Sequence, residues 1–134
     1  MRRSNSKRPW CASSGAHLWL IWDEAAQLGR GRIELLEAIE RSGSISAAAR
    51  TVGLSYRAAW NWIDRINRRA GEALVRTATG GVRGGGAQLT AAGTAAVCAY
   101  RLLEQRVAAA MGRADREIAR LLAAAQAQRG RHVR

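Results

Sequence analysis

Between Ser44 and Gly93 the chain is cut into short pieces that no single long helix or sheet could absorb. Ser44 or Ser46 offers a side-chain oxygen to the orphan N–H groups that open a helix. Ala47, Ala48 and Ala49 keep that helix thin, so that a neighbour can approach it closely. Val52-Gly53-Leu54 reads as a turn, with Gly53 free to take a positive φ. Ser55 caps a further helix, Tyr56 to Ala70. Leu74 to Thr77 reads as a short strand, residues 79–86 as a glycine-rich loop, and Ala87 to Leu89 as the returning strand. Thr90-Ala91-Ala92-Gly93 then caps a last helix.

The helix from Tyr56 phases cleanly at about 100° per residue. Ala58, Ala59, Trp62, Ile63, Ile66 and Ala70 fall on one stripe and pack inward, while Arg57, Asn61, Asp64 and Arg68 fall opposite. Arg57 and Asn61 lie in the first two turns, where arginine suits guanine O6/N7 and asparagine suits adenine N6/N7. Asp64 stands four residues before Arg68, a spacing that also suits a simple surface ion pair. Trp60 falls between the two sides. It reads as gap-filling packing, with contact to a thymine methyl or a sugar as the alternative.

A thin helix, a glycine turn, a basic helix and a glycine hairpin make up the layout of a winged helix-turn-helix. The expected fold class is mainly α, with a short β-hairpin wing and a long C-terminal helix. The wing loop lacks the Gly-Lys-Ser/Thr ending and the strand-to-helix setting of a nucleotide-binding loop. As a wing it would set Thr79 and Arg83, with Arg76 and Thr77, against phosphates or in a minor groove.

The flanks take supporting roles. Residues 1–15 read as a disordered basic arm, with Arg2, Arg3, Lys7 and Arg8 and no acid. The stretch from His17 to Trp22 reads as a strand whose partner would be the later hairpin. From Arg30 the spacing of Ile33, Leu36 and Ile39, with Glu34, Glu37 and Glu40 between them, predicts an amphipathic helix ending at Ser42-Gly43. Its acidic outer face assigns it to core support rather than to an anion.

Leu103, Val107, Ala110, Ala114, Ile118 and Leu121 step by three or four residues along the last helix, expected over residues 91–125. Such a helix outruns a small core, and a second copy of itself is the simplest cover for the stripe. Gly112 weakens it by about 1 kcal/mol relative to alanine and suits a bend. Residues 126–134 read as a disordered basic tail. The expected domain map is thus an arm to residue 15, a winged helix-turn-helix over 16–90, a dimerisation helix over 91–125 and the tail.

The 134 residues carry a net charge of +12, which favours a polyanion, with double-stranded DNA as the default partner. The excess sits where that partner would lie: residues 44–90 hold Arg50, Arg57, Arg65, Arg68, Arg69, Arg76 and Arg83 against only Asp64 and Glu72. Cys11 and Cys98 lack metal-ligand spacing and read as reduced thiols. No nucleophile–base set, apolar carboxylate pair or metal spacing points to an enzyme, and no cofactor is expected. The apolar run from Leu18 to Trp22 is too short for a signal core or a membrane span, so the expected place is the cytoplasm, with no membrane partner.

At Gly43-Ser44-Ile45-Ser46, at Ser55-Tyr56 with Trp60, at Ala78-Thr79-Gly80-Gly81 and Gly84-Gly85-Gly86, and at Leu89-Thr90, the chain resembles the N-terminal DNA-binding domain of ModE-type molybdate-responsive regulators. More loosely it resembles the LysR-type winged helix. The resemblance implies a homodimeric transcription regulator on a palindromic operator near molybdenum genes. Ser44, Ser46, Ser55, Tyr56, Arg57, Asn61 and Arg68 would serve the major groove, and Thr79 and Arg83 its flank. Full-length members of that family continue into a β-rich molybdate-binding region. No segment of these 134 residues is expected to build one, so the expected response runs through an unknown partner protein, through abundance, or not at all. The rival readings are a non-specific architectural DNA-binding protein and a protein-docking module.

Overall fold

The computed structural model describes residues 15–23, 26–78 and 86–131. The basic arm before Gly15, Cys11, the wing tip with Thr79 and Arg83, and the last three residues of the tail lie outside the described residues.

Trp19–Asp23 (β1) pairs antiparallel with Ala26–Gly29 (β2), in the register Trp19 to Gly29 and Leu20 to Leu28. This corrects the expectation that the first strand pairs with the later hairpin. The two hairpins are separate two-stranded sheets. The nearest extended segment in sequence wins because a short loop costs least to close. Ala26–Gly29 does not advertise itself as a strand, since Ala and Gly are poor β-formers. Packing holds it instead: Leu28 is buried, and the Trp19 indole lies so close over Gly29 that a Cβ there would stand 2.9 Å from the ring.

Arg30–Ser42 (α1) follows at once and ends where Gly43 takes the left-handed conformation, its N–H donating to the Ile39 carbonyl. Ile33, Leu35, Leu36, Ala38 and Ile39 are all buried, which makes α1 the central element of the core. Ile45–Val52 (α2) is capped by Ser44, whose hydroxyl accepts from the Ala47 N–H at 3.3 Å. Gly53, at φ 73°, closes α2, and the Leu54 N–H donates to the Ala49 carbonyl at 2.8 Å. Tyr56–Arg69 (α3) begins at Ser55, whose hydroxyl accepts from the Ala58 N–H at 3.1 Å. The small face of α2 does what its alanines suggest: Ala48 and Ala49 are buried and let α2 pack closely between α1 and α3.

Val75–Ala78 (β3) pairs antiparallel with Gly86–Leu89 (β4), and Val75, Ala87 and the preceding Leu74 are buried. The hairpin is tied to α1 by the Ala87 N–H, which donates to the Gly43 carbonyl at 2.9 Å. The last helix, Ala91–Arg131 (α4), is capped by Thr90, whose hydroxyl accepts from the Gly93 N–H at 3.1 Å and donates to the Ala73 carbonyl at 2.7 Å. It runs unbroken through Gly112. It also overruns the expected disordered tail as far as Arg131, because Ala, Gln and Arg are strong helix formers and Arg129 and Arg131 suit the negative end of the helix.

The chain divides into two units. One is His17–Glu104, which contains both hairpins, the first three helices, the start of α4 and the whole buried core. The other takes α4 from Gln105 onward.

Candidate nucleic-acid interface

Everything at the α2–α3 turn is fixed by backbone capping, so the outer face of α3 is set by its sequence phase. Ala59, Ile63 and Ile66 are buried, and Ala58, Trp62 and Ala70 are half-buried beside them. Arg57, Asn61, Asp64, Arg65 and Arg68 are exposed. The structure therefore places Arg57 and Asn61 on one solvent-facing stripe near the start of α3, where both side chains have room to meet a partner. Ser55 and Tyr56 stand at the same end, with Tyr56 57% exposed and edge-on to Trp60, the ring centroids 6.2 Å apart. Trp60 itself is half-buried and packed against the core, which settles its role as packing.

Ser44 and Ser46 stand at the start of α2, Ser44 as the cap and Ser46 exposed in the first turn. The Ser44 and Ser55 oxygens accept from helix N–H groups, so their hydroxyl protons stay available to an anion's oxygen. Arg68 donates to Asp64 at 3.2 Å, with both side chains mostly exposed. A pair of that kind contributes about 0–1 kcal/mol and gives way readily to a phosphate.

The wing's placement depends on a residue that sequence phasing passed over. Asn67 lies on the flank of α3, and its Oδ1 accepts from the Leu74 N–H at 2.9 Å and the Val75 N–H at 3.1 Å. Its Nδ2 donates to the Val75 carbonyl at 3.0 Å. One amide thus joins α3 to the base of the β3–β4 wing. No local pattern marks that role, because its partners are the distant backbone groups of Leu74 and Val75. Arg76 and Thr77 are exposed on β3. Thr79 and Arg83, expected at the wing tip, lie outside the described residues. Arg50 and Arg65 are exposed cations that the sequence reading counted but gave no role.

On α4, Leu103 and Val107 are half-buried, Ala110 and Ala114 are exposed, and Ile118 and Leu121 are 40% and 65% exposed. Nearer its start the same helix anchors the core. The Tyr100 hydroxyl donates to the Leu18 carbonyl at 3.1 Å, and burial, then the Glu104 carboxylate, pushes that hydroxyl above its ordinary value. Arg101 donates to Glu104 and, through Nε at 2.8 Å, to Glu37. Those bonds, Glu104 first, hold its guanidinium above its ordinary value against the opposing effect of burial. Glu37 is therefore half-buried and paired, while Glu34 and Glu40 keep the outer side of α1 acidic.

Comparison with known proteins agrees with this geometry. The description of bacterial regulatory helix-turn-helix proteins of the lysR family matches residues 31–94, which span α1 to the start of α4. The molybdenum transport protein ModE of Azotobacter vinelandii is 49% identical over 98 residues, 73% of this chain and 36% of that protein. The molybdenum-pterin-binding protein MopB of Rhodobacter capsulatus is 51% identical over 83 residues, 62% of this chain and 31% of that protein. The DNA-binding transcriptional dual regulator ModE of Escherichia coli K12 is 47% identical over 74 residues, 55% of this chain and 28% of that protein. The chain spans about a third of the length of the first two relatives. With α2, the Gly53 turn and α3 in place, residues 31–94 form a lysR-family helix-turn-helix domain of the ModE type.

Proposed function

We propose that the chain is a sequence-specific DNA-binding transcription regulator that works as a homodimer and controls genes connected with molybdenum. The observation that carries this reading is the outer stripe of α3. Arg57 and Asn61 are exposed side by side, one turn apart, on a helix whose opposite face is fixed in the core. Ser44, Ser46, Ser55 and Tyr56 position the phosphates around them, Arg68 leaves Asp64 for a phosphate, and Thr79 and Arg83 hold the flank. The link to molybdenum comes from the names of the relatives alone.

Dimerisation is supported by Ile118 and Leu121, large apolar side chains exposed along the same helix face as Leu103, Val107, Ala110 and Ala114. Pairing through α4 would set two α3 helices about 34 Å apart on one side of a duplex. In this account residues 16–90 read DNA and residues 91–125 pair the copies. The chain has no enzymatic role, and among the described residues no helix is long and apolar enough to cross a membrane. The net charge of +12 suits the architectural reading equally, so sequence preference decides between the two.

The test is a selection of bound duplexes from a random pool at near-physiological salt with the full chain. An inverted repeat is the expected product. Recovery of no motif, with uniform affinity, would replace this reading by the architectural one.

A further inference from the structure

At the edge of the outer face of α3, a guanidinium of α1 lies over an α3 indole, three residues before a second arginine of α3. Arg32, in the first turn of α1, lies over the Trp62 ring with its Cζ 5.8 Å from the centroid, and its Nη1 donates to the Gln27 carbonyl. The adjacent Gly31 also faces the indole, a Cβ there falling 3.4 Å from Trp62 Cη2 in ordinary contact. Arg32 is thus held in place by a ring and a carbonyl. Arg65 is exposed one turn beyond Asn61, about 40° further round α3 toward the Trp62 side. Burial first, and then repulsion from Arg65, pulls Arg32 below its ordinary value, so the two charges sense each other.

Among the described residues, neither guanidinium is within ion-pair distance of a carboxylate. Glu34 pairs with Arg30, Glu37 with Arg41 and Arg101, and Asp64 with Arg68. Two neighbouring cations repel, and an anion placed against both offsets the repulsion. Guanidinium groups present planar pairs of N–H donors that match phosphate oxygens. Because the pair borders the stripe that carries Arg57 and Asn61, the anion that reaches it is the one flanking the groove that α3 enters.

We propose that Arg32 and Arg65 form a clamp for one backbone phosphodiester of duplex DNA, with Trp62 and Gln27 as the support that pre-positions Arg32. The clamp rests on the DNA-binding reading and adds to it a sequence-independent contact carried by α1. Phosphate contacts set register and total affinity, whereas base contacts set preference.

The experiment measures binding of the full-length wild type, Arg32→Gln, Arg65→Gln and the double variant to a selected operator and to a scrambled duplex, across a range of salt concentrations. Each single change should weaken both duplexes by the same factor and lower the log–log salt slope, and the double change should lower it by about one in all, because the two arginines share a single phosphate. Arg32→Lys, which keeps the charge, should keep the slope. Arg65 is exposed and, among the described residues, without an ion-pair partner, so Arg65→Gln carries the test even if Arg32→Gln disturbs the packing on Trp62. If the wild type binds both duplexes and Arg65→Gln leaves the slope unchanged, or weakens only the operator, the clamp is overturned and the functional reading stands. If the wild type binds neither duplex, the functional reading falls and the clamp falls with it.

Discussion

The Asn67 amide accepts from two N–H groups at the base of β3 and donates to the Val75 carbonyl, so three polar groups depend on one side chain of α3. Asn67→Ala leaves them half-buried without partners and should lower stability by about 1–3 kcal/mol in chemical denaturation. Gly93 is required for a different reason: a Cβ at that position would stand 2.2 Å from the Leu74 carbonyl oxygen, and backbone cannot give way as a side chain would. Gly93→Ala should therefore destabilise by about 1–3 kcal/mol despite the better helix propensity of alanine, and a gain in melting temperature would show that the close approach is not real. Tyr100 adds a pH dependence. Its hydroxyl is held above its ordinary value, so the fold prefers the neutral form. The stability it contributes is complete below the unfolded tyrosine value of about 10 and is lost as pH rises through the folded value. Tyr100→Phe should cost about 1 kcal/mol at neutral pH through the lost bond to Leu18 and should flatten that alkaline decline. None of these three roles was legible in the sequence, because each depends on what a distant backbone does: Leu74 for Gly93, Val75 for Asn67 and Leu18 for Tyr100.

The elements themselves were far more legible where local chemistry decides them. Ser44, Gly53 and Ser55 mark helix boundaries through their own hydrogen bonds and φ values, so α2, its turn and α3 stand where capping residues put them. The inward stripe of α3 follows from a strict period, and the apolar positions of α1 do likewise, with Leu35 adding a second buried side. The β1–β2 hairpin was misassigned because Ala26–Gly29 forms a strand through packing against Trp19 and Leu28, with little propensity of its own. The end of α4 was placed too early because basic composition was read as disorder, although its residues favour helix. Along α4, Ile118 and Leu121 are exposed, so charged replacements there leave the buried core of His17–Glu104 untouched. The double variant Ile118→Asp, Leu121→Asp should keep its circular dichroism spectrum yet sediment as a monomer where the wild type sediments as a dimer. A dimer that persists would move the pairing surface off this stripe.

Across the whole molecule, a charge of +12 would bind a polyanion almost however the chain folded. The fold adds direction. Glu34, Glu37 and Glu40 lie on α1 and Glu104 joins its pairing with α4, while Arg50, Arg57, Arg65 and Arg76 stay exposed on α2, α3 and β3. On the proposed function, general attraction and base reading belong to different residues and can be separated. The central claim is that the outer stripe of α3 reads base edges, and the most direct test compares the wild type with Arg57→Ala on a selected operator and on a scrambled duplex of equal length. The account predicts a loss of about 1–3 kcal/mol on the operator, a relaxed preference at one base position and little change on the scrambled duplex. An equal loss on both duplexes would reduce Arg57 to a phosphate contact and contradict the claim that α3 reads sequence.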